Sequence, residues 1–212
     1  MPNSINGIRF GCILLAAGSG SRMIGLDKLL LEINGQPLLE KNYCLYRDLS
    51  LEPVVVTGFA QERVRLLLEK HHPHLVHNHA FLEGQHTSVL VGLTALAGSC
   101  DAIIIALADM PLLTEGDTRN LMAAYATKPD HCAAVVPCCD AKRGNPVIID
   151  AAIVPAILRQ GTGVRSYLDQ NPDDIHWYYS DSSGYYVDLD TTDDLETVDE
   201  IYGIRVDWNS HG

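Results

Sequence analysis

The sequence lacks any long apolar run and is poor in basic residues. Its 212 residues include 15 Lys plus Arg against 27 Asp plus Glu, a formal net charge of -12. A surface this acidic repels nucleic acid phosphates and anionic lipids, so we expect neither a nucleic acid nor a membrane partner. No stretch approaches the roughly eighteen apolar residues of a membrane span. No basic segment precedes the first apolar run, so we expect a cytoplasmic protein without a secretion signal.

The cysteines are scattered and show no paired spacing. None has the C-x-x-C arrangement of a zinc site, so free thiols in a reducing compartment are the expected state. Histidines cluster between His71 and His86, but their spacing does not place three on one face. We therefore interpret them as helix-end and loop residues. The six cysteines are Cys12, Cys44, Cys100, Cys132, Cys138 and Cys139.

Short apolar segments alternate with helical patterns along the chain, without an internal repeat or a linker. Residues 10–16, 53–57 and 102–107 predict buried strands, 88–96 a helix, and 186–189 a late strand. This alternation predicts one domain over residues 1–212, with a mostly parallel sheet covered by helices on both faces. Ligands of such sheets bind beyond the carboxyl ends of the strands, where we expect the functional residues.

A glycine-rich loop follows the first predicted strand. Small residues there allow backbone N–H groups to approach a polyphosphate closely. Arg22 can add a bidentate phosphate contact and Lys28 a point charge, which a plain tight turn would not require. No G-K-[ST] follows, so the loop is not a Walker motif, and the third glycine of the dinucleotide fingerprint is missing. The loop reads Leu15-Ala16-Ala17-Gly18-Ser19-Gly20-Ser21-Arg22-Met23.

Carboxylates follow two later segments. Asp109 comes directly after the most apolar predicted strand, and Mg²⁺ typically takes one or two carboxylates plus substrate phosphates. Asp109 is therefore a candidate metal ligand; the alternative is a cap for the next helix. Asp188 and Asp190 alternate along the late predicted strand, which would place both on one strand face. Asp193 and Asp194 are more typical of the first turn of a helix.

These motifs together resemble the nucleotidyltransferases that modify the molybdenum cofactor pterin, the MobA-like NTP transferases. The resemblance rests on L-A-A-G-x-x-x-R-M-x-G-x-D-K over residues 15–28, on A-D-M-P over 108–111 and on D-L-D-T over 188–191. Residues 77–89 and the Gly144-Asn145-Pro146 segment add to it, so it covers nearly the whole chain. It implies a three-layer α/β/α sandwich with a mixed, mostly parallel sheet, the Rossmann-like fold of nucleotide-diphospho-sugar transferases.

The resemblance also implies residue roles. The loop would wrap the triphosphate, with Arg22 and Lys28 on its phosphates and Asp109, Asp188 and Asp190 holding Mg²⁺ or Mn²⁺. Thr87 and Ser88 would contact the base, although they could equally cap the next helix. Asn145 would contact the acceptor, or simply open a strand. The loop residues concerned are Leu15, Ala16, Ala17, Gly18, Ser19 and Gly20.

The implied reaction transfers CMP from CTP to the phosphate of a molybdopterin-type acceptor and releases pyrophosphate. Cytidylyl members read L-A-A-G where guanylyl members read L-A-G-G, and the Ala17 side chain could narrow the room for a purine. A recipient molybdoenzyme or its chaperone would be the protein partner. Transfer to a sugar phosphate or another phosphorylated metabolite is the first alternative, and a non-catalytic nucleotide-binding accessory protein is the second. An NAD-dependent oxidoreductase would need an acid after the second strand, where Thr57-Gly58 stands.

Overall fold

The computed structural model of the chain describes residues 4–5, 7–18 and 28–207. Ser19, Gly20 and Arg22 of the predicted phosphate loop lie outside these residues. The strands are β1 (Ser4–Ile5), β2 (Ile8–Ala16), β3 (Glu32–Ile33), β4 (Gln36–Pro37), β5 (Val54–Thr57), β6 (His74–His77), β7 (Ala102–Leu107), β8 (Ala134–Cys139), β9 (Lys142–Arg143), β10 (Val147–Asp150), β11 (Ile175–Tyr179) and β12 (Val206–Asp207). The helices are α1 (Leu38–Asp48), α2 (Gln61–Leu68), α3 (Gln85–Ala95), α4 (Glu115–Ala126), α5 (Val154–Gln160), α6 (Gly163–Gln170) and α7 (Thr192–Tyr202).

The main sheet has the order β11-β8-β10-β7-β2-β5-β6. The neighbours β7, β2, β5 and β6 are parallel, and β11 is parallel to β8. Only β10, along this path, runs antiparallel to both of its neighbours, β7 and β8. The sheet is therefore mixed and mostly parallel, as the sequence predicted. Its parallel part directs the ends of β2, β5 and β7 to one edge.

Helices cover both faces of this sheet because its central strands are apolar on both sides. Along β2, Phe10, Cys12 and Leu14 pack with α1, α2 and α4 in one buried cluster. Ile13 and Leu15 of the same strand point to the other face and pack with α3, α5 and α6. The predicted three-layer α/β/α sandwich is thus confirmed.

A smaller apolar cluster lies beside the sandwich. The antiparallel sheet β12-β3-β4 packs there with α7. Thr191 and Asp194 begin α7 with a capping box, so Asp194 is confirmed as a residue of the first helical turn. Leu189 is fully buried in this cluster, which holds residues 188–190 next to the main sheet.

Two local predictions were wrong. Residues 186–189 form no strand: a 3-10 helix spans Ser183–Tyr185, and an irregular segment follows it to α7. Strand alternation therefore does not account for the placement of Asp188 and Asp190. Helix α3 begins at Gln85 rather than at 88, with Gly84 as its N-cap and no side-chain capping bond. Among the described residues, no helix is long and apolar enough to cross a membrane.

Candidate active site

The ends of β2 and β7 place the start of the phosphate loop next to Asp109. Leu15 is in register with Leu107 of the parallel neighbour β7. Just beyond this pair, the Ala108 N–H donates to the Leu15 carbonyl at 3.1 Å. Ala16 is the last residue of β2, so Ala17 and Gly18 leave the sheet beside Asp109. The alternative role of Asp109 as a helix cap is wrong, since Thr114 caps α4.

Lys28 joins two of the predicted metal ligands. Its Nζ lies 2.6 Å from Asp109 Oδ2 and 2.9 Å from Asp190 Oδ1. The Lys28 and Asp109 side chains are only 13% and 15% exposed. Burial by itself lowers the pKa of Lys28, but the Asp109 and Asp190 carboxylates outweigh it and leave the pKa raised. Lys28 is therefore a charged ammonium that bridges residues far apart in the sequence.

Asp188 completes a group of three carboxylates, although it remains solvent-exposed. The Leu189 N–H donates to the Asp109 carbonyl at 3.0 Å, which fastens residues 188–190 to the end of β7. The pKa of Asp188 is raised, first by desolvation and then by the Asp109 and Asp190 carboxylates. Like charges thus accumulate here, with Lys28 as the ammonium bonded between two of them.

This carboxylate cluster (Asp109, Asp188 and Asp190) fits a hard divalent cation. Asp109 Oδ1 is buried, and no donor among the described residues reaches it. A buried carboxylate oxygen without a partner is unfavourable, and a bound cation would relieve it. Carboxylate oxygens are also the ligands that Mg²⁺ and Mn²⁺ prefer. The three predicted metal ligands are therefore brought together, and their donor set suits the predicted ion.

Asn42 is a residue of this site that sequence reasoning missed. It is fully buried on α1, and its Nδ2 donates to the carbonyl of Ala108 at 2.9 Å. Its Oδ1 has no partner among the described residues. An amide on an otherwise apolar helix face, between Leu39 and Tyr43, was the available signal. Asn42 positions the backbone that carries Asp109.

The loops after β2 and β5 touch each other closely. A Cβ built on Gly58 would lie 2.5 Å from the Ala17 carbonyl and 2.9 Å from the Cβ atoms of Ala17 and Phe81. Only glycine allows this approach without a shift. Ala17 is 6% exposed, so its methyl group packs in the wall between the two loops. A role of Ala17 in nucleotide choice stays a prediction.

Asn78 connects the loop after β6 to Thr87 and Ser88 in the first turn of α3. Its Nδ2 donates to Thr87 Oγ1 at 2.8 Å and to Ser88 Oγ at 2.9 Å. The Thr87 hydroxyl lies 3.0 Å from the Ala80 carbonyl and 2.8 Å from that of Gly84. Both residues sit inside α3, so their interpretation as helix caps is wrong. Base contact by Thr87 and Ser88 stays a prediction.

A cavity of about 490 Å³ opens on the α3–α6 side of the sheet. Asn145 and Leu15 line it, together with Arg143 and Arg165. Arg143 pairs with Asp169 at 2.6 Å and lies over the Trp177 ring. Arg165 is exposed at the start of α6, and we find no acidic partner for it among the described residues. Within the described part of the chain, the cavity therefore combines apolar lining residues with a cation that has no acidic partner.

Comparison with known proteins identifies the family. Residues 12–175 match the family described as MobA-like NTP transferase domain. The chain is 30% identical over 203 residues to nicotine blue oxidoreductase of Paenarthrobacter nicotinovorans, covering 90% of this chain and 93% of that protein. It is 34% identical over 111 residues to a molybdenum cofactor guanylyltransferase of Xanthomonas euvesicatoria, covering 52% of each chain.

A solved structure shares the fold. The crystal structure of a Mycobacterium tuberculosis protein in complex with manganese superimposes with a TM-score of 0.69 at 17% identity, covering 90% of this chain and 98% of that one. The nucleotide-diphospho-sugar transferase fold implied by the sequence is thus confirmed. The cytidylyl subgroup and the molybdopterin acceptor stay predictions. Because the family match spans more than half of the chain, the protein belongs to the MobA-like NTP transferase family.

Proposed function

We propose that this protein is a metal-dependent nucleotidyltransferase that transfers CMP from CTP to the phosphate of a molybdopterin-type acceptor. The carboxylate cluster carries the proposal, since Asp109 has a buried oxygen, beside the start of the phosphate loop, that no donor among the described residues reaches. The family match supports nucleotidyl transfer as the reaction class. A manganese complex of a protein with the same fold is consistent with a divalent metal.

In this reaction an oxygen of the acceptor phosphate attacks the α-phosphorus of the nucleotide. A new P–O bond forms, the bond from the α-phosphorus to the bridging oxygen breaks, and pyrophosphate leaves with that electron pair. No covalent intermediate on the protein is required, so positioning and charge neutralisation supply the catalysis. A Mg²⁺ or Mn²⁺ ion held by Asp109 with Asp188 or Asp190 would polarise the phosphoryl oxygens and orient the two substrates.

The other residues divide the binding work. Backbone N–H groups at Ala16, Ala17 and Gly18 would approach the triphosphate, with Ser19, Gly20 and Arg22 completing the loop. Lys28, already an ammonium at the carboxylate cluster, would neutralise charge that develops on the leaving pyrophosphate. Thr87 and Ser88, whose hydroxyls accept hydrogen bonds from Asn78, would line the base pocket.

The cavity is the proposed acceptor site. A volume of about 490 Å³ suits a fused heterocycle, and its floor includes apolar residues of β7 and β8. Arg165 would attract the phosphate of the acceptor, and Asn145, which also lines the cavity, would donate a hydrogen bond to the acceptor. A recipient molybdoenzyme or its chaperone would then collect the product.

Pyrophosphate release tests this function. The full-length protein is incubated with Mg²⁺, molybdopterin and each of the four common NTPs in turn. We expect release with CTP and little with GTP, with the cytidylated pterin identified by mass spectrometry. Release with GTP alone would overturn the cytidylyl assignment. Sugar phosphates are tested in place of molybdopterin, and release with them alone would overturn the proposed acceptor. No release with any acceptor would overturn nucleotidyl transfer as the reaction.

A second candidate function comes from the relative that covers most of the chain. Nicotine blue oxidoreductase matches over 90% of this protein, which favours testing an oxidoreductase activity with nicotine blue in the same cavity. Against it, β5 ends at Thr57 and Gly58 follows, so neither position offers an acid for a dinucleotide ribose. Loss of NADH or NADPH absorbance with nicotine blue as acceptor, in the absence of any NTP, would favour this function over nucleotidyl transfer.

A further inference from the structure

A second group of metal-ligating side chains lies apart from the carboxylate cluster, between α1 and the turn that follows α2. Glu40 and Cys44 are one helical turn apart on α1, so both project from the same side of the helix. His71 ends the 3-10 helix Glu69–His71 and meets them from the other element. One potential ligand atom from each residue lies within 4.8 Å of the other two. We call these three residues the α1 cluster.

The distances in the α1 cluster approach those of a zinc site. His71 Nε2 lies 3.8 Å from Cys44 Sγ and 2.7 Å from Glu40 Oε1. Zinc bonds of about 2.3 Å to sulfur and about 2.1 Å to nitrogen or oxygen place tetrahedral ligand atoms roughly 3.3–3.6 Å apart. The Cys44–His71 distance therefore needs to shorten by about 0.2 Å, and the Glu40–His71 distance to lengthen by about 0.7 Å, for these atoms to surround one ion.

Glu40 is a buried carboxylate whose present partners can be replaced. The residue is 7% exposed, and its Oε1 accepts hydrogen bonds from Lys70 Nζ at 2.6 Å and from His71. The Lys70 side chain is 67% exposed, so it can turn into solvent without losing a packed position. A divalent ion bound to the same oxygen would supply the positive charge that Lys70 supplies now.

The tautomer of His71 is the second feature that ion binding must change. Arg47 Nη1 lies 2.8 Å from His71 Nδ1, and a guanidinium offers only donors. Nδ1 therefore accepts, and Nε2–H donates to Glu40. Zinc needs the lone pair of Nε2, so the proton must move to Nδ1 and Arg47 must turn away. The Arg47 side chain is 42% exposed and also pairs with Asp48, so it can turn away from His71 and keep an ion pair.

We propose that Glu40, Cys44 and His71 bind one Zn²⁺ ion, with water as the fourth ligand, and so tie α1 to the end of α2. A thiolate, an imidazole and a carboxylate form a donor set for zinc rather than for magnesium. On binding, the Cys44 thiol releases one proton to solvent and forms the Zn–S bond. The imidazole proton moves from Nε2 to Nδ1, and Lys70 leaves Glu40. Lys70 and Arg47 therefore oppose the ion, whereas Cys44 and His71 hold it.

This opposition gives a test with effects in both directions. Zinc binding to the full-length protein is measured by calorimetry in excess Mg²⁺, which occupies the carboxylate cluster. Cys44→Ser and His71→Ala should each weaken zinc binding by at least about tenfold. Lys70→Ala should tighten it by about threefold, and Arg47→Ala should act in the same direction. Cys139→Ser and His74→Ala, which change a thiol and an imidazole elsewhere, should leave the affinity unchanged.

Cobalt spectra provide a second measurement. Co²⁺ bound to a thiolate gives a sulfur-to-metal charge-transfer band, which should appear in the wild type and vanish in Cys44→Ser. The exposed Lys70→Ala variant does not endanger the fold, so it remains informative if Cys44→Ser unfolds. Equal affinity in Lys70→Ala and wild type, or a charge-transfer band that survives in Cys44→Ser, would overturn the proposal.

Discussion

Helix α1 separates two groups of charged side chains that balance charge in opposite ways. On one side, Asn42 supports the end of β7, where three carboxylates lie near Lys28 and one buried oxygen has no partner in the part of the chain that the structure describes. On the other side, the single carboxylate of Glu40 accepts from both Lys70 and His71. The excess of negative charge at the carboxylate cluster is the reason for proposing that a hard cation binds there. A carboxylate that already has its hydrogen-bond donors, as Glu40 has, is typical of a structural residue unless a softer ion such as Zn²⁺ displaces those donors.

The largest effect is expected from Asp109→Asn. This change keeps the shape of the Asp109 side chain but removes its negative charge, on which the proposed metal site depends. We expect pyrophosphate release to fall by about 10³-fold, while the thermal midpoint changes little or rises as repulsion with Asp188 is relieved. Glu200→Gln, an exposed acid on α7, is the matched control. Retained activity in Asp109→Asn would remove Asp109 from the metal site.

Lys28→Met should follow, with a loss of about 10²-fold in turnover. It also leaves Asp109 and Asp190 without their ammonium, so the carboxylates repel one another. The thermal midpoint should therefore fall in EDTA and recover when Mg²⁺ is added. Lys28→Arg is the comparator because it keeps the charge. Equal midpoints of Lys28→Met with and without Mg²⁺ would contradict the idea that a cation and Lys28 neutralise the same group.

Asn42→Ala tests the support beneath Asp109. Loss of a buried hydrogen bond to the Ala108 carbonyl should lower the free energy of unfolding by about 1–3 kcal/mol in urea titrations. If Asn42 positions Asp109, kcat should fall as well while KM for the nucleotide holds. A normal kcat at temperatures where the variant remains folded would assign Asn42 a structural role only.

Arg165→Ala tests the cavity as the acceptor site. The Arg165 guanidinium at the wall of the cavity should contribute to acceptor binding. We therefore expect KM for molybdopterin to rise by about tenfold in Arg165→Ala, with KM for CTP unchanged. Arg159→Ala, an exposed arginine at the end of α5, serves as the control. A rise in KM for CTP instead would place the nucleotide, and not the acceptor, in the cavity.

In the zinc-free protein, Glu40→Gln should have the smallest effect, a change in stability alone. Burial alone raises the pKa of Glu40, but hydrogen bonds from Lys70 and His71 outweigh it and leave the pKa lowered. Its stabilising contribution is therefore present above the unfolded-state pKa and disappears as the pH falls through the lower folded-state value. The thermal midpoint of Glu40→Gln should lie below wild type at neutral pH and converge with it in acid. A constant difference across that range would show that the charge of Glu40 does not matter.

The sheet and the order of the motifs could be predicted because they depend on local patterns. Continuous apolar runs such as Ala102–Leu107 predict strands buried on both faces, and Asp109 follows such a run directly. The contact of Asp188 and Asp190 with Asp109 was predicted for a partly wrong reason. No strand alternation is present there; burial of Leu189 and its backbone bond to Asp109 hold this segment.

Other site residues could not be predicted, because their roles depend on partners distant in the sequence. Asn42 acts only through the Ala108 carbonyl, 66 positions away. The start of α3 was predicted wrongly because the N-cap is Gly84, not Thr87 or Ser88. The hydroxyls of Thr87 and Ser88, which suggested a cap, instead accept hydrogen bonds from Asn78 in the loop after β6.

By itself, the sequence determined the layered fold, the edge of the sheet where ligands are expected, and the placement of Asp109 and the start of the phosphate loop at that edge. These follow from apolar periodicity and from the rule that parallel strands present their ends together. Only the tertiary structure decided that Lys28 bridges Asp109 and Asp190, that Asn42 supports them, and that Cys44 meets His71 across two elements. The physical reason is that hydrogen bonds and ion pairs require distances of a few ångströms, which packing establishes and spacing along the chain does not.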